Sequence, residues 1–482
     1  MSIKNHIQIF IKKINIGKHS GIPDAVSFFA LCLLITDCAV SGAGKWLSLG
    51  PVSLRMVLGA VAGICALPII IKSLKNWIKS PILISLAFFI IYLIICAALG
   101  AAHGNRTDII LSDIKGFSWL VIVPIALSAV RDKKRLHIIM KCIIIGAVLQ
   151  ALLMLLINIM YIYFDGLYSV SRNIIADKLF GFTDHISAAM VRIFTRSSPY
   201  LAVSIIFMAY FQMHIKKFNR LLPFASALCL NAILLTFTRS IYAASAFALI
   251  IAVIVFAVFF KSKWKRLVLH ILASIALAVI VMFAQQLMSG SSYIKFALYR
   301  TFTIDVIATD TDARQKHTFD NNTSEESEQQ QEYIERTKES DNVVRKETLD
   351  ELKESIRNNP FFGNGLGSTI ECRQDGYVEY FYHDIINKMG FLGLVFYCFP
   401  LIYMVYIVMR KIMIKDFKNL IIGTAWLTAL SVFFLVTFFN PYMNSALGIA
   451  CYSLAISCFA VIDTGDGSEF LLSTKKSDKS KA

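Results

Sequence analysis

Glu379, His383 and Asn387 recur at four-residue intervals where a polar stretch gives way to an apolar one. On a helix that spacing puts all three on one face. At the edge of a membrane, such a face suits general base catalysis, with Glu379 taking a proton and His383 beside it. The plainer alternative is a face packed against a neighbouring span, its polar groups bonded to one another. Upstream, "RKETLDELKESIRNNP" sets Arg345, Leu349, Leu352 and Ile356 at 4-3-4 spacing, one face of a helix that Asn358, Asn359 and Pro360 stop. Glu347, Asp350, Glu351 and Glu354 fall opposite. Arg345 therefore heads an apolar stripe and points into the protein. There it needs an anion, either a structural carboxylate or a ligand.

More arginines accumulate near apolar stretches. Arg239, in "LLTFTRSIYAASA", lies between two of them with almost no loop. Arg192 and Arg196, in "MVRIFTRSSPYLA", precede another. Arg55 and Asp37 fall near the outer ends of the first two. A single arginine at such a place often only reaches to lipid headgroups. Several on one side of a membrane make a cationic site, and a diphosphate is the ligand best matched to several guanidinium forks. The turn "PFFGNGLGS" allows positive φ and close backbone approach. It follows no strand, so it is not a dinucleotide or nucleotide-phosphate loop. It reads as a tight turn returning the chain to the membrane.

The elements that must position these groups are apolar. Of 482 residues 56% are hydrophobic, and the mean hydropathy is +0.63, which points to a polytopic membrane protein rather than a soluble one. The net charge of +16 does not indicate nucleic acid, because the basic residues fall mostly in short runs between apolar stretches. Twelve stretches are long enough to be candidate spans: 22–41, 51–71, 81–101, 115–130, 136–161, 198–214, 220–237, 241–260, 267–289, 385–409, 418–438 and 443–462. Basic clusters recur at every second connection. They include Lys72, Lys75 and Lys79, "RDKKR" at 131–135, "KSKWKR" at 261–266 and the run from Arg410 to Lys418. Both tails are therefore expected in the cytoplasm and the long polar stretch outside.

The expected organisation is all-α: nine spans in 1–289, an extracytoplasmic loop over 290–384, three spans in 385–462 and a cytoplasmic tail over 463–482. "SGAG" after the first stretch faintly resembles a signal-peptidase site, but an uncleaved first span fits this topology. Nine of the ten cysteines lie in apolar runs and none forms a CxxC or CxxxC pair, so no zinc site or disulfide framework is expected. The loop's "DTD" at 310–312 looks like the metal-binding acid pair of nucleotide-sugar transferases. It reads more simply as part of a solvated run, since nucleotide sugars are cytoplasmic. No metal and no cofactor are expected.

The order of these pieces resembles the O-antigen polymerase and O-antigen ligase family. The resemblance is carried by "TRS" between two spans, an Arg-headed amphipathic helix in a large outer loop, "NPFFGNGLGS", and an acid/His segment followed by "GFLG"; "VRIFTRSSPYLA" adds to it. It covers mainly residues 190–410. It implies a GT-C-like glycosyltransferase of the bacterial cytoplasmic (inner) membrane. Such an enzyme moves a glycan from undecaprenyl diphosphate to an acceptor hydroxyl, with inversion and without a metal. Arg239 and Arg345 match the two family arginines that hold the donor diphosphate, and Arg192 and Arg196 extend that set.

The ligases carry a histidine, usually in a His-Asn pair, about eleven residues before the first glycine of "GxxG". Counting back from Gly390 gives Glu379, with His383 one turn later. The departure favours a polymerase, because polymerases vary more at this position and often carry Glu. The polymerase would take an undecaprenyl-diphosphate-linked oligosaccharide in the lipid and work beside a chain-length regulator and a flippase. The alternatives are a ligase transferring glycan to lipid A-core and, from another class, a lipid-linked oligosaccharide flippase. Transporters usually show repeated halves, and none is visible in this sequence. A purely structural scaffold for an assembly complex is a third alternative.

Overall fold

The computed structural model describes residues 21–41, 48–49, 52–164, 182–187, 190–215, 217–259, 263–290, 293, 295–296 and 344–463. The acid pair at 310–312, both tails and most of "SGAG" lie outside them.

Among the described residues, each of the twelve apolar stretches is a helix. Ten are long and apolar enough to cross a membrane: α1 Ile22–Val40, α2 Leu54–Trp77, α3 Pro81–Ala102, α4 Thr107–Ala129, α5 Lys133–Tyr163, α8 Arg239–Phe259, α9 Trp264–Ser289, α11 Phe381–Met413, α12 Phe417–Val436 and α13 Ala446–Asp463. The remaining two, α6 Pro199–His214 and α7 Leu221–Leu235, are shorter. A helix the length of α6 rises only about 24 Å, against a hydrocarbon layer of about 30 Å. α6 is buried from Pro199 to Met213, as suits a helix that is apolar all round. It packs among α5, α7 and α12, with Tyr200 against Phe433 and Phe207 against Trp426. One further helix, α10, covers 344–358 outside the bundle. The all-α polytopic architecture is thus as the composition requires.

Two features depart from the sequence reading. Two residues each of β1, Ser48–Leu49, and β2, Val52–Ser53, pair before α2, and the segment before α6 is a strand: β4, Met190–Phe194, pairs antiparallel with β3, Phe182–Ser187, placing Asp184 opposite Arg192. In β4 Val191 and Ile193 are buried while Arg192 and Phe194 are half-buried, the two-residue alternation of a strand. Arg55, expected near an outward cationic site, is buried. It donates from Nε to Asp37 and from Nη2 to the Ser41 carbonyl, tying α2 to α1. Elsewhere Asp24 takes Arg131 at 2.9 Å and Arg135 at 2.7 Å, tying α1 to α5. An unpaired charge in lipid is costly, so these pairs also fix which helices can be neighbours.

Candidate functional site

The glycine-rich turn is the frame of the site. Gly363, Gly365 and Gly367 all adopt left-handed backbone, at φ 76°, 82° and 78°. A Cβ on Gly365 would collide with the backbone of Gly100 in α3, and one on Gly100 with the carbonyl of Leu366. The close approach lets Leu366 N–H donate to the Cys96 carbonyl at 2.9 Å. On the other side α11 is kinked at Gly390, φ 66° and ψ −179°. Phe391 N–H and Leu392 N–H, just past the kink, donate to the carbonyls of Pro360 and Phe361 at 2.9 and 3.2 Å. Thus "PFFGNGLGS" and "GFLG" form one hydrogen-bonded unit. The turn does return the chain to the membrane, and it also braces two spans.

Arg345 begins α10 and Glu379 precedes α11. Their side chains meet, Nε to Oε2, at 2.7 Å, the arginine 39% exposed and the glutamate 28%. The arginine expected to need an anion has one, and it is the carboxylate proposed as base. Below the pair, Leu352, Ile370 and Val378 make a small separate core. Glu351 accepts from Cys372 N–H at 3.0 Å, locking α10 onto the returning chain. Burial raises the phenols of Tyr377 and Tyr380 above their ordinary range; cations oppose it, Arg196 at Tyr377 and Arg345 at Tyr380.

Glu379 and His383 do not share a helical face as the spacing predicts, because α11 starts only at Phe381, with Tyr380 as its non-helical cap. The cause is the polar, glycine-containing approach at 373–380, which holds turns rather than helix. His383 lies in the first turn, half-buried, its ring edge-on to Tyr380 at 5.9 Å. Asn387 is buried and accepts from Ser355 at 2.7 Å and Asn364 at 3.0 Å, stitching α10, the glycine turn and α11 together. That is the packing role weighed for it above.

Arg239 opens α8, exposed, after a tight turn in which Phe237 takes the left-handed conformation at φ 44°. Such backbone is strained for a bulky side chain and marks a position held by its surroundings. Phe237 is wedged against Tyr293 and Phe296. Arg192 braces the same turn, donating from Nε to the Thr236 carbonyl at 3.1 Å and from Nη2 to Thr238 at 3.4 Å. Next to Arg239, Ser240 accepts from Asn440 at 2.7 Å.

Asn440 lines a cavity of about 300 Å³ formed by the starts of α4 and α11, the turn at 375–377 and the segment from Asn440 to Ser445. Arg196, Asp375, Tyr377 and Tyr442 also line it, as do Asp113, Asp384 and Lys388. The structure therefore joins Arg345 to Glu379, puts Arg196 at the cavity, sets Arg239 one residue from a side chain bonded to its lining, and places Arg192 behind the Arg239 turn.

Sequence reasoning missed Asp113, Asp384, Lys388 and Tyr442. Lys388 sits 2.9 Å from Asp113 and 3.0 Å from Asp384, nearly out of solvent. One signal was available: Asp384 and Lys388 stand four apart, the acid-to-base order that pairs on a helix. Asp113 fell just outside the stretch assigned to the fourth span.

A bundle of helices long and apolar enough to cross a membrane, with Arg196, Lys388 and three aspartates lining a cavity among them, defines a polytopic membrane protein with a charged pocket. Residues 224–398 match the family model Wzy_C, O-antigen ligase, which supports the O-antigen polymerase/ligase family for this chain and a glycosyl-transferring activity of that general type. No curated protein matches the chain. The matched stretch runs from α7 into α11 and contains Arg239, Arg345, Glu379 and His383.

Proposed function

We propose that this protein polymerises polyprenyl-diphosphate-linked oligosaccharide repeat units into a cell-surface polysaccharide at the extracytoplasmic face of the cytoplasmic membrane. The observation that carries this reading is the Arg345–Glu379 contact, a cation for the donor's diphosphate beside a base for the acceptor's hydroxyl. The acceptor oxygen attacks the anomeric carbon of the donor glycan. The bond from that carbon to the diphosphate oxygen breaks, and polyprenyl diphosphate leaves. Glu379 takes the hydroxyl proton. Arg345 and Arg239, with Arg196 nearby and Arg192 bracing, offset the charge that grows on the leaving group. A single displacement inverts the anomeric centre, and the mechanism calls on no metal and no nucleotide.

Glutamate at the position where ligases carry histidine favours a polymerase; a ligase transferring to lipid A-core is the second reading. The alternating basic clusters support cytoplasmic tails and an outer site. A flippase delivering substrate and a chain-length regulator are the protein partners this activity calls for. The test is purified protein given a lipid-linked single repeat unit as sole substrate. A ladder of longer lipid-linked products is the expected result. Product only after a different acceptor is added would make it a ligase, and no product in either case would refute glycosyl transfer.

A further inference from the structure

Resting on the glycosyl-transfer reading, we propose that the cavity holding Tyr442, Asp384 and Lys388 is the acceptor subsite, and that it takes the acceptor's terminal sugar as a neutral or amino sugar, not a uronic acid. Tyr442 lines this cavity at 4% exposure, and its hydroxyl has no hydrogen-bond partner among the described residues. A buried hydroxyl left unpaired carries a desolvation penalty, which a ligand hydroxyl relieves. Across the cavity, Asp113 and Asp384 share the single ammonium of Lys388. The second oxygen of Asp113 accepts from Gly367 N–H at 2.8 Å, so the glycine turn fixes its orientation.

Two carboxylates on one ammonium leave a net negative charge. Arg196 and Asp375, also lining, add one charge of each sign and leave that balance unchanged. Carboxylate oxygens accept from the adjacent hydroxyls of a sugar ring or from a sugar ammonium. They repel a uronate. Phe194 and Phe381 supply apolar walls, and mixed walls of this kind with few fixed polar groups suit a saccharide. The volume is at the low end for small-molecule sites, room for a sugar but not for a polyprenyl chain. Neither Arg239 nor Arg345 lines the cavity, which sets it apart from the diphosphate position. Glu379 does not itself line the cavity, but the lining residues Tyr377 and Phe381 flank it in sequence, so the base stands at the wall of the subsite and a sugar hydroxyl has to extend past that wall to reach it.

The experiment uses the full chain in lipid nanodiscs with two substrates. The donor is the lipid-diphosphate repeat unit. The acceptor is the same repeat unit as a simple alkyl glycoside, which can accept but cannot donate. Tyr442→Phe should raise KM for the alkyl glycoside about five- to tenfold, the loss of one hydrogen bond, and leave KM for the donor unchanged. Asp384→Asn should do the same and should also let an alkyl glucuronide inhibit competitively where it does not inhibit the unaltered protein. Tyr442→Phe keeps the ring and tests the idea even where the Asp384 variant fails to fold. An unchanged acceptor KM, an increase in the donor KM instead, or inhibition of the unaltered protein by the glucuronide would overturn the subsite. Absence of any transfer by the unaltered protein would instead overturn the reading beneath it.

Discussion

Two of the arginines that hold a carboxylate through Nε do so in opposite surroundings. Arg55 and Asp37 are sealed between α1 and α2, 6% and 4% exposed, and the Ser41 carbonyl takes a further guanidinium bond. Arg345 and Glu379 meet outside the bundle and are 39% and 28% exposed. The chemistry of the pair is the same; the surroundings differ. A sealed pair cannot exchange its partner, because opening it strands a charge in a low-dielectric interior. A half-open pair can admit a phosphate to the guanidinium and release its carboxylate for proton transfer. Reading function from an ion pair thus depends less on its distance than on what can reach it.

Glu379→Gln should sharpen this contrast most. It keeps size and removes the proposed base, so turnover should fall by roughly 10²–10⁴-fold while donor binding and protein level persist, as single-turnover assays and immunoblots would show. Arg55→Leu should act on the fold instead. It leaves Asp37 buried without its cation, at a cost on the order of 3–5 kcal/mol, and should be read as lost protein in membranes. Arg55→Leu combined with Asp37→Leu should recover protein level and polymer; a double variant with normal level but no polymer would move this pair into the active site. Arg345→Lys retains charge but loses the planar fork, and we expect donor KM to rise by about 1.5–3 kcal/mol equivalent, the range of a charged hydrogen bond. His383→Ala should be mildest, with less than a tenfold loss. A dead His383→Ala beside an active Glu379→Gln would transfer the role of base to the histidine.

The helical bundle was legible because membrane-crossing helices announce themselves by length and hydropathy, and all twelve predicted stretches hold helices. The α10 helix was legible from its 4-3-4 stripe, with Leu352 fully buried. The partners of charged residues were much less so. Asp113 and Lys388 are 275 positions apart, and neither propensity nor periodicity carries information across that distance. Tyr442 was invisible for a related reason: its significance is an unfilled bond, which only the packing around it defines. The β4 strand was not predicted because its alternation spans only five residues beside a strongly apolar helix.

The kink at Gly390 bears on how the protein is made. Past that glycine, two amide groups of α11 find their acceptors in Pro360 and Phe361, not in their own helix. In lipid such amides have no other recourse. The acceptors are synthesised earlier and must already be folded back when these amides of α11 are packed. The stretch 344–368 therefore acts as an assembly template for the helix that follows it. A chain whose 344–368 segment is late to fold would hold α11 incompletely inserted, exposed to the quality-control proteases of the membrane.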